Sequence, residues 1–263
     1  MFTFCSLYSG STGNCLLVQT DETKILIDAG VSQKKISDAL ASFNVDFSDI
    51  NAILVTHEHA DHVLNLGSIS KKYNIPVYCN EKTLNAMPAQ KEKIADENKK
   101  IFTSNNSFKI NNLEIFPFST PHDAADPCGF NIHYDNKKIS IATDIGHMDN
   151  KLISNLKDSS FILLESNYDP DILKYSRYPF QLKQRILSPI GHLSNETAGK
   201  TISELYINGT LKQALLGHLS KENNFPELAL KTVYDELGTK NITEENISIK
   251  IANRNCPSKL IKI

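Results

Sequence analysis

The stretch Ile53-Leu54-Val55-Thr56-His57-Glu58-His59-Ala60-Asp61-His62-Val63 decides how this chain is read. An apolar run leads into three histidines and two acids within six residues, and a segment with apolar residues at Val63, Leu66, Ile69 and Tyr73 follows. The first part predicts a buried strand and the last a helix with one buried stripe. In extended chain side chains alternate with period two, so His57 and His59 share one side while Glu58 faces the other. Asp61 and His62 fall at the turn into the helix, where a change of direction can aim them at a neighbouring point. Four potential ligands therefore divide into two pairs, each needing further ligands from elsewhere. Imidazole and carboxylate without thiolate suit zinc, manganese or iron rather than a structural cysteine cage.

Outward from this stretch the chain alternates strand and helix. Strands are expected at Phe2 to Leu7, Cys15 to Gln19, Lys24 to Asp28 and Ala52 to Thr56. A second set follows at Phe108 to Ile110, Leu113 to Phe118, Phe130 to Tyr134, Ile139 to Thr143, Phe161 to Glu165, Gln213 to Leu216 and Ile247 to Lys250. Helices are expected at Ser32 to Phe43, Val63 to Tyr73, Lys151 to Leu156, Phe180 to Leu187, Asn195 to Tyr206 and Pro226 to Leu237. No fixed-period repeat or low-complexity linker interrupts them. The expectation is one α/β domain over residues 1–263, its two strand-rich halves packed face to face.

Composition removes several function classes. A hydrophobic share of 40% and a charged share of 22% are globular values, which excludes disordered, collagenous and coiled-coil chains. The five cysteines are odd in number and never spaced as C-x-x-C, so neither a disulfide framework nor a thiolate zinc cage is expected. The start of the chain lacks the features of a secretory signal, and no stretch approaches the ~18 apolar residues of a membrane span. A cytoplasmic protein with no membrane contact is expected. Lys+Arg 28 against Asp+Glu 30 gives a net charge of only -2, so a nucleic-acid ligand needs a local basic patch. Lysine pairs at Lys34-Lys35, Lys71-Lys72, Lys99-Lys100 and Lys137-Lys138 could supply one, or could be ordinary surface charge.

The H-x-H-x-D-H run resembles the signature of the metallo-β-lactamase superfamily, and the other motifs of that superfamily follow in order. They match Asp28 in Ile27-Asp28-Ala29-Gly30, His122 in Thr120-Pro121-His122-Asp123, Asp144 in Thr143-Asp144-Ile145-Gly146 and His218 in Gly217-His218-Leu219. The resemblance implies a four-layer αββα sandwich and a site for two divalent metal ions, zinc first, manganese or iron otherwise. It implies that His57, His59 and His122 hold one ion, Asp61, His62 and His218 the other, and that Asp144 bridges them. Asp28 would orient a ligand from behind. Such a pair of ions, roughly 3.5 to 4 Å apart, activates water and clamps the attacking and leaving oxygens, with Asp61 close to the chemistry. A redox di-iron relative would carry glutamate in place of His59. A secreted β-lactamase would carry cysteine in place of Asp144.

Further segments resemble the YycJ/VicX/WalJ branch of the superfamily: Ser9-Gly10-Ser11-Thr12-Gly13-Asn14, Leu164-Glu165-Ser166-Asn167-Tyr168-Asp169, Arg177-Tyr178-Pro179, Lys183-Gln184-Arg185-Ile186 and Gly191-His192-Leu193-Ser194-Asn195. The branch implies a phosphodiesterase acting on DNA as a 5'-to-3' exodeoxyribonuclease. His192 would then be a general acid or phosphate contact with Glu165 as partner, ahead of a helix capped by Ser194 or Asn195. A buried structural histidine is the other reading of His192. Ser11, Asn14, Asn167, Arg177 and Arg185 are the expected substrate contacts, since guanidinium grips phosphate bidentately and arginine is rare here. The Ser9 to Asn14 turn could equally brace the metal loops. Gly217 departs from the branch, which usually has serine there, and is expected to change packing rather than ligation. The rival function is hydrolysis of a small ester, thioester, lactone or cyclic phosphodiester at the same site.

Overall fold

In the computed structural model, which describes all 263 residues, the strands form two seven-stranded sheets. The first holds β1 (Thr3–Tyr8), β2 (Cys15–Gln19), β3 (Lys24–Ile27), β4 (Ala52–Leu54), β5 (Val77–Cys79) and β6 (Lys99–Ile101) side by side in chain order. The second holds β7 (Phe108–Ile110), β8 (Leu113–Ser119), β9 (Cys128–Tyr134), β10 (Lys137–Ala142), β11 (Phe161–Glu165), β12 (Gln213–Gly217) and β13 (Ser248–Ile251), again in order. The last strand, β14 (Ile261–Lys262), returns to the first sheet beside β1.

Three apolar seams separate four layers, the αββα arrangement. Between the sheets lie Ile25 and Ile27 of β3, Leu54 of β4, Phe130 of β9, Phe161 and Leu163 of β11 and Leu215 of β12. The intervening residues face outward. Leu26 and Ile53 meet the helices Gln33–Ala41 and Leu66–Tyr73, while Ile162, Leu164 and Leu216 meet the helices Asn195–Ile207 and Pro226–Gly238. Strands covered on both faces read as unbroken apolar runs, which is why Lys24 to Ile27 and Phe161 to Leu164 show no alternation in sequence. No helix is long and apolar enough to cross a membrane.

Strand direction sets where function can sit. β3 to β6 run parallel to one another, and so do β10 to β13. β8 is antiparallel to β9, which is antiparallel to β10, so β8 points the same way as β10. The residues that follow β3, β4, β8, β10 and β12 therefore all emerge on one edge of the sandwich, where open parallel sheets place their ligands.

The structure departs from the sequence expectations at particular places. The helix expected over Val63 to Tyr73 is two helices, Ala60–Val63 and Leu66–Tyr73. The break is tertiary: Asn65 gives its backbone N–H to Ala29 O and its side-chain amide to Val31 O, tying the chain to the loop after β3. β5, β6 and β14 were not expected, being only three, three and two residues long. The short helices Glu81–Ala86, Pro88–Lys91 and Pro170–Tyr175 were likewise not expected.

Leu163 is fully buried between the sheets. Leu163→Ala is expected to lower unfolding free energy by about 2–5 kcal/mol with an unchanged denaturant slope, measured by guanidinium titration.

Candidate metal centre

Three loops build the floor of the site, and they touch backbone to backbone. Asn14 N–H donates to Asp61 O, Ala29 N–H to His62 O, and Gly30 N–H to Asn14 O. A Cβ on Gly30 would stand 1.6 Å from Asp61 O, so only glycine lets the loops close. Asp28, Asp144 and His218, each just past a strand, take left-handed backbone angles, with φ of 63°, 57° and 54°. Aspartate and histidine tolerate this region better than most residues, and the turn swings each side chain inward.

The structure brings together every residue expected to ligate. His57, His59 and His122 converge with ligand atoms within 4.8 Å of one another, as do Asp61, His62 and His218, and also His57, His62 and Asp144. His59 Nδ1 lies 3.4 Å from His122 Nε2. His62 Nε2 lies 3.4 Å from Asp61 Oδ2 and 3.5 Å from Asp144 Oδ2, and His218 Nε2 lies 3.5 Å from Asp61 Oδ2. Donors spaced about 3.3 Å apart match the edge of a tetrahedron around an ion with bonds of ~2.0–2.1 Å. Asp144 is shared between the groups, its Oδ1 standing 3.9 Å from His122 Nε2.

Hydrogen bonds decide which imidazole nitrogen faces the centre. His62 Nδ1 donates to Asp28 Oδ2 at 2.7 Å, His122 Nδ1 to Gly191 O at 3.0 Å, and His218 Nδ1 to Glu165 Oε1 at 2.9 Å. Thr56 gives its backbone N–H and its hydroxyl to the two oxygens of Asp28, leaving its Oγ1 to accept from His57 Nδ1 at 3.0 Å. Each of these rings has one nitrogen committed and the other turned inward, as ligating histidines do. His57 Nε2, His218 Nε2 and Asp144 Oδ2 are buried with no hydrogen-bond partner. Orphaned polar atoms at one point are costly unless a cation takes them up, so the donor set fits divalent ions.

Charge balance gives the same answer. Burial would raise Asp144, but His218, His62, His57 and His122 hold it well below the usual carboxylate range. Burial would likewise raise Asp61, but the neighbouring imidazoles of His218 and His62 hold it down. Burial alone would lower His218, yet Asp144, Asp61 and Glu165 raise it to about 10. Burial would lower His62 too, and Asp28 and Asp144 push it well above the ordinary value. With no cation bound, protons on these rings balance the buried carboxylates. Metal would displace them.

At the open side of the centre stands His192, its side chain 20% exposed, with Nδ1 on Glu165 Oε1 at 2.8 Å. Glu165 is fully buried and is itself pinned, its Oε2 accepting from Ile145 N and Leu193 N. Asp144, Glu165, His192 and His218 also converge, but both imidazole Nδ1 atoms are spent on Glu165, so this group holds protons rather than a third ion. Ser194 caps the following helix. His192 lines a cleft of about 140 Å³ with Ser11, Asn167, Arg185, Asp123 and Tyr178.

The expected substrate contacts separate in the structure. Ser11 and Arg185 lie in the cleft wall. Arg185 Nε is taken by Asp123 Oδ2 at 2.5 Å, leaving only its terminal nitrogens for a ligand. Asn167 lines the cleft but gives its amide to His218 O at 2.7 Å. Asn14 is buried, its amide bonded to Gly10 and to Asp61 Oδ2, which is the bracing alternative for that turn. Arg177 is exposed and does not line the cleft. Sequence reasoning did not assign Thr56, which orders two ligands, or Asp123, whose Oδ1 lies 3.3 Å from His122 Nε2. Both flank residues of the motifs, which was the available signal.

A family model for the "Beta-lactamase superfamily domain" matches residues 23–218. The chain belongs to that superfamily. It is 40% identical over 237 residues to the exodeoxyribonuclease YycJ of Bacillus anthracis, covering 90% of this chain and 89% of the relative. It is 39% identical over 238 residues to the exodeoxyribonuclease WalJ of Streptococcus pneumoniae, covering 90% of this chain and 88% of the relative. In fold it is similar to the metallo-β-lactamase fold protein YhfI of Bacillus subtilis, with a TM-score of 0.68 and 16% identity over 98% of this chain and 99% of that one. The metallo-β-lactamase architecture and its edge cluster of histidine and aspartate are a site for divalent metal ions.

Elemental analysis of the purified protein by plasma mass spectrometry is expected to find about two divalent ions per chain, and Asp61→Ala about one. Asp28→Asn is expected to keep both but to weaken them roughly 10- to 100-fold in chelator competition.

Proposed function

We propose that this chain is a binuclear metal-dependent phosphodiesterase that removes nucleotides from the 5' end of DNA. The observation that carries the reading is a histidine outside the ligand set, His192, held by a buried glutamate beside a two-ion donor cluster, in a chain about two-fifths identical to two exodeoxyribonucleases. Zinc is the first choice of metal because the donors are imidazole and carboxylate in near-tetrahedral spacing; manganese and iron fit the same donors. We further propose one domain over residues 1–263 and a cytoplasmic location, which accords with five unpaired cysteines.

His57, His59 and His122 would hold one ion, Asp61, His62 and His218 the other, and Asp144 would lie between. When bound, the pair supplies Lewis acidity at the phosphate and a nucleophile from water at neutral pH. The remaining tasks belong to the chain's own side chains. Glu165 fixes His192 with Nδ1 protonated, which leaves Nε2 for the cleft that the ring lines. Burial would lower His192, but Glu165 outweighs it and keeps the ring above its ordinary value, so His192 can carry a second proton. It gives that proton to the leaving ester oxygen, and Glu165 steadies the imidazolium. Arg185, turned by Asp123, and Ser11 contact the phosphate from the cleft wall. A cleft of about 140 Å³ admits a phosphate and part of one nucleotide, in keeping with attack at a chain end.

The test uses 5'-labelled and 3'-labelled single-stranded DNA, with bis-p-nitrophenyl phosphate as a small diester and zinc or manganese added. Release of the 5' label as mononucleotide with stepwise shortening of the 3'-labelled strand, abolished by chelator and by His59→Ala, is expected. His192→Ala is expected to lower kcat about 10²- to 10⁴-fold with metal content unchanged. Turnover of the small diester without any turnover of DNA would move the substrate to a small ester or cyclic phosphodiester.

A further inference from the structure

A second cavity, of about 440 Å³, opens beside the metal cleft, and Ser220 lines both. Arg254 joins them. Its Nη1 lies 3.5 Å from Ser11 Oγ in the cleft wall, and its Nη2 donates to Leu219 O at 2.6 Å. The guanidinium rests against Gly10, where a Cβ would stand 3.1 Å from Nη1. Arg254 forms neither an ion pair nor a hydrogen bond with any carboxylate; its partners are a hydroxyl and a carbonyl. No aspartate or glutamate lines the cavity, whereas Lys221, Asn224, Asn253 and Asn255 do. In a chain of net charge -2 this is a locally cationic hollow.

Phe225 lines the same cavity and leaves 48% of its surface exposed. An arginine with no acidic partner can grip phosphate, and an exposed ring lining the same cavity offers a stacking face for a base. The ring is outside all of the apolar clusters, and the guanidinium, although it holds Leu219 O, has no carboxylate to balance its charge. The metal cleft has room for a phosphate and only part of the nucleotide under attack, so a longer strand must leave it, and Ser220 lines both the cleft and this cavity.

We propose that the cavity holds the neighbouring nucleotides of a single DNA strand, with Arg254 and Lys221 on the phosphates and Phe225 stacked on a base. The inference rests on the DNA-end phosphodiesterase reading and adds a strand-binding subsite to it. An unpaired strand is required, because a base must be free to lie on the ring.

The test is fluorescence anisotropy with phosphorothioate-linked oligothymidylates of two and eight residues, which resist hydrolysis, titrated onto the metal-loaded protein from 50 to 200 mM salt. The octamer is expected to bind native protein at least about tenfold more tightly than the dimer. Arg254→Ala is expected to remove most of that advantage and to flatten the dependence of log affinity on log salt by about 0.7, the value of one phosphate on a single strand. Arg254→Lys keeps the slope. Phe225→Ala weakens the octamer roughly tenfold without changing the slope. Because Arg254 also holds Leu219 O, Lys221→Ala provides a second charge variant at an exposed position, and it too should flatten the slope. Octamer and dimer binding native protein equally, or native slopes and affinities in all of these variants, would remove the subsite while leaving the nuclease reading intact. Native protein that binds neither oligomer yet hydrolyses bis-p-nitrophenyl phosphate would overturn the nuclease reading itself.

Discussion

Each buried imidazole that faces the centre must keep one nitrogen free while burying the other, and a buried N–H without an acceptor costs about 1–3 kcal/mol. The chain meets this demand from behind. Asp28, Glu165, the carbonyl of Gly191 and the hydroxyl of Thr56 take the ring N–H groups of His62, His218, His122 and His57, and each lies at the end of a strand or in the loop packed against it. Glu165 serves two rings at once, which ties the orientation of His218 to that of His192. A change in the backing residues would therefore reach the centre without touching a donor, because a ring with a free choice of tautomer presents the wrong nitrogen part of the time.

The backing works only because the two sheets deliver their strand ends to a common edge. Asp28 and His57 come from the first sheet, while His122, Asp144, Glu165 and His218 come from the second. The seam between the sheets, filled by Ile25, Ile27, Phe130, Phe161 and Leu163, sets the distance between the two halves of the cluster. Interiors are packed as densely as organic crystals, so that distance has little freedom. Left-handed backbone at Asp28, Asp144 and His218 costs about 1–2 kcal/mol each, and the seam and loop contacts hold it in place. Asp28 illustrates the exchange: its strained turn is the one whose carboxylate accepts both bonds from Thr56 and one from His62.

Most of this was legible in sequence because two independent signals coincide at each ligand. Asp28, His122, Asp144 and His218 each close an apolar run, and their order along the chain resembles that of the superfamily's motifs; a lone aspartate or histidine at a strand end is weak by itself, and the joint order is what places them. What was not legible depends on contacts between distant residues. The helix break at Asn65 is made by Ala29 and Val31, some thirty-five residues earlier, and no local pattern encodes it. β5, β6 and β14 are too short to show a period. The lysine pairs do not make the basic patch that the sequence offers: Lys99 is paired with Asp96, and Lys138 is turned onto the carbonyls of Asn155 and Lys157. The cationic hollow comes instead from Arg254 and Lys221, and Arg254 lies against a loop more than two hundred residues away in sequence.

Gly217 shows how a departure from a family pattern can be compensated within the chain. His218 lies just past the last residue of β12, so its backbone N–H needs an acceptor outside the ladder. Ser9 provides one, its buried hydroxyl lying 2.8 Å from His218 N. A Cβ on residue 217 would stand 3.1 Å from that same hydroxyl and 2.8 Å from Leu163 Cδ1. A serine there would press on both Ser9 and the seam between the sheets. The glycine thus leaves room for a hydroxyl from the opposite sheet to do what a neighbouring side chain could not do without collision, and His218 keeps its Nε2 aimed at Asp61.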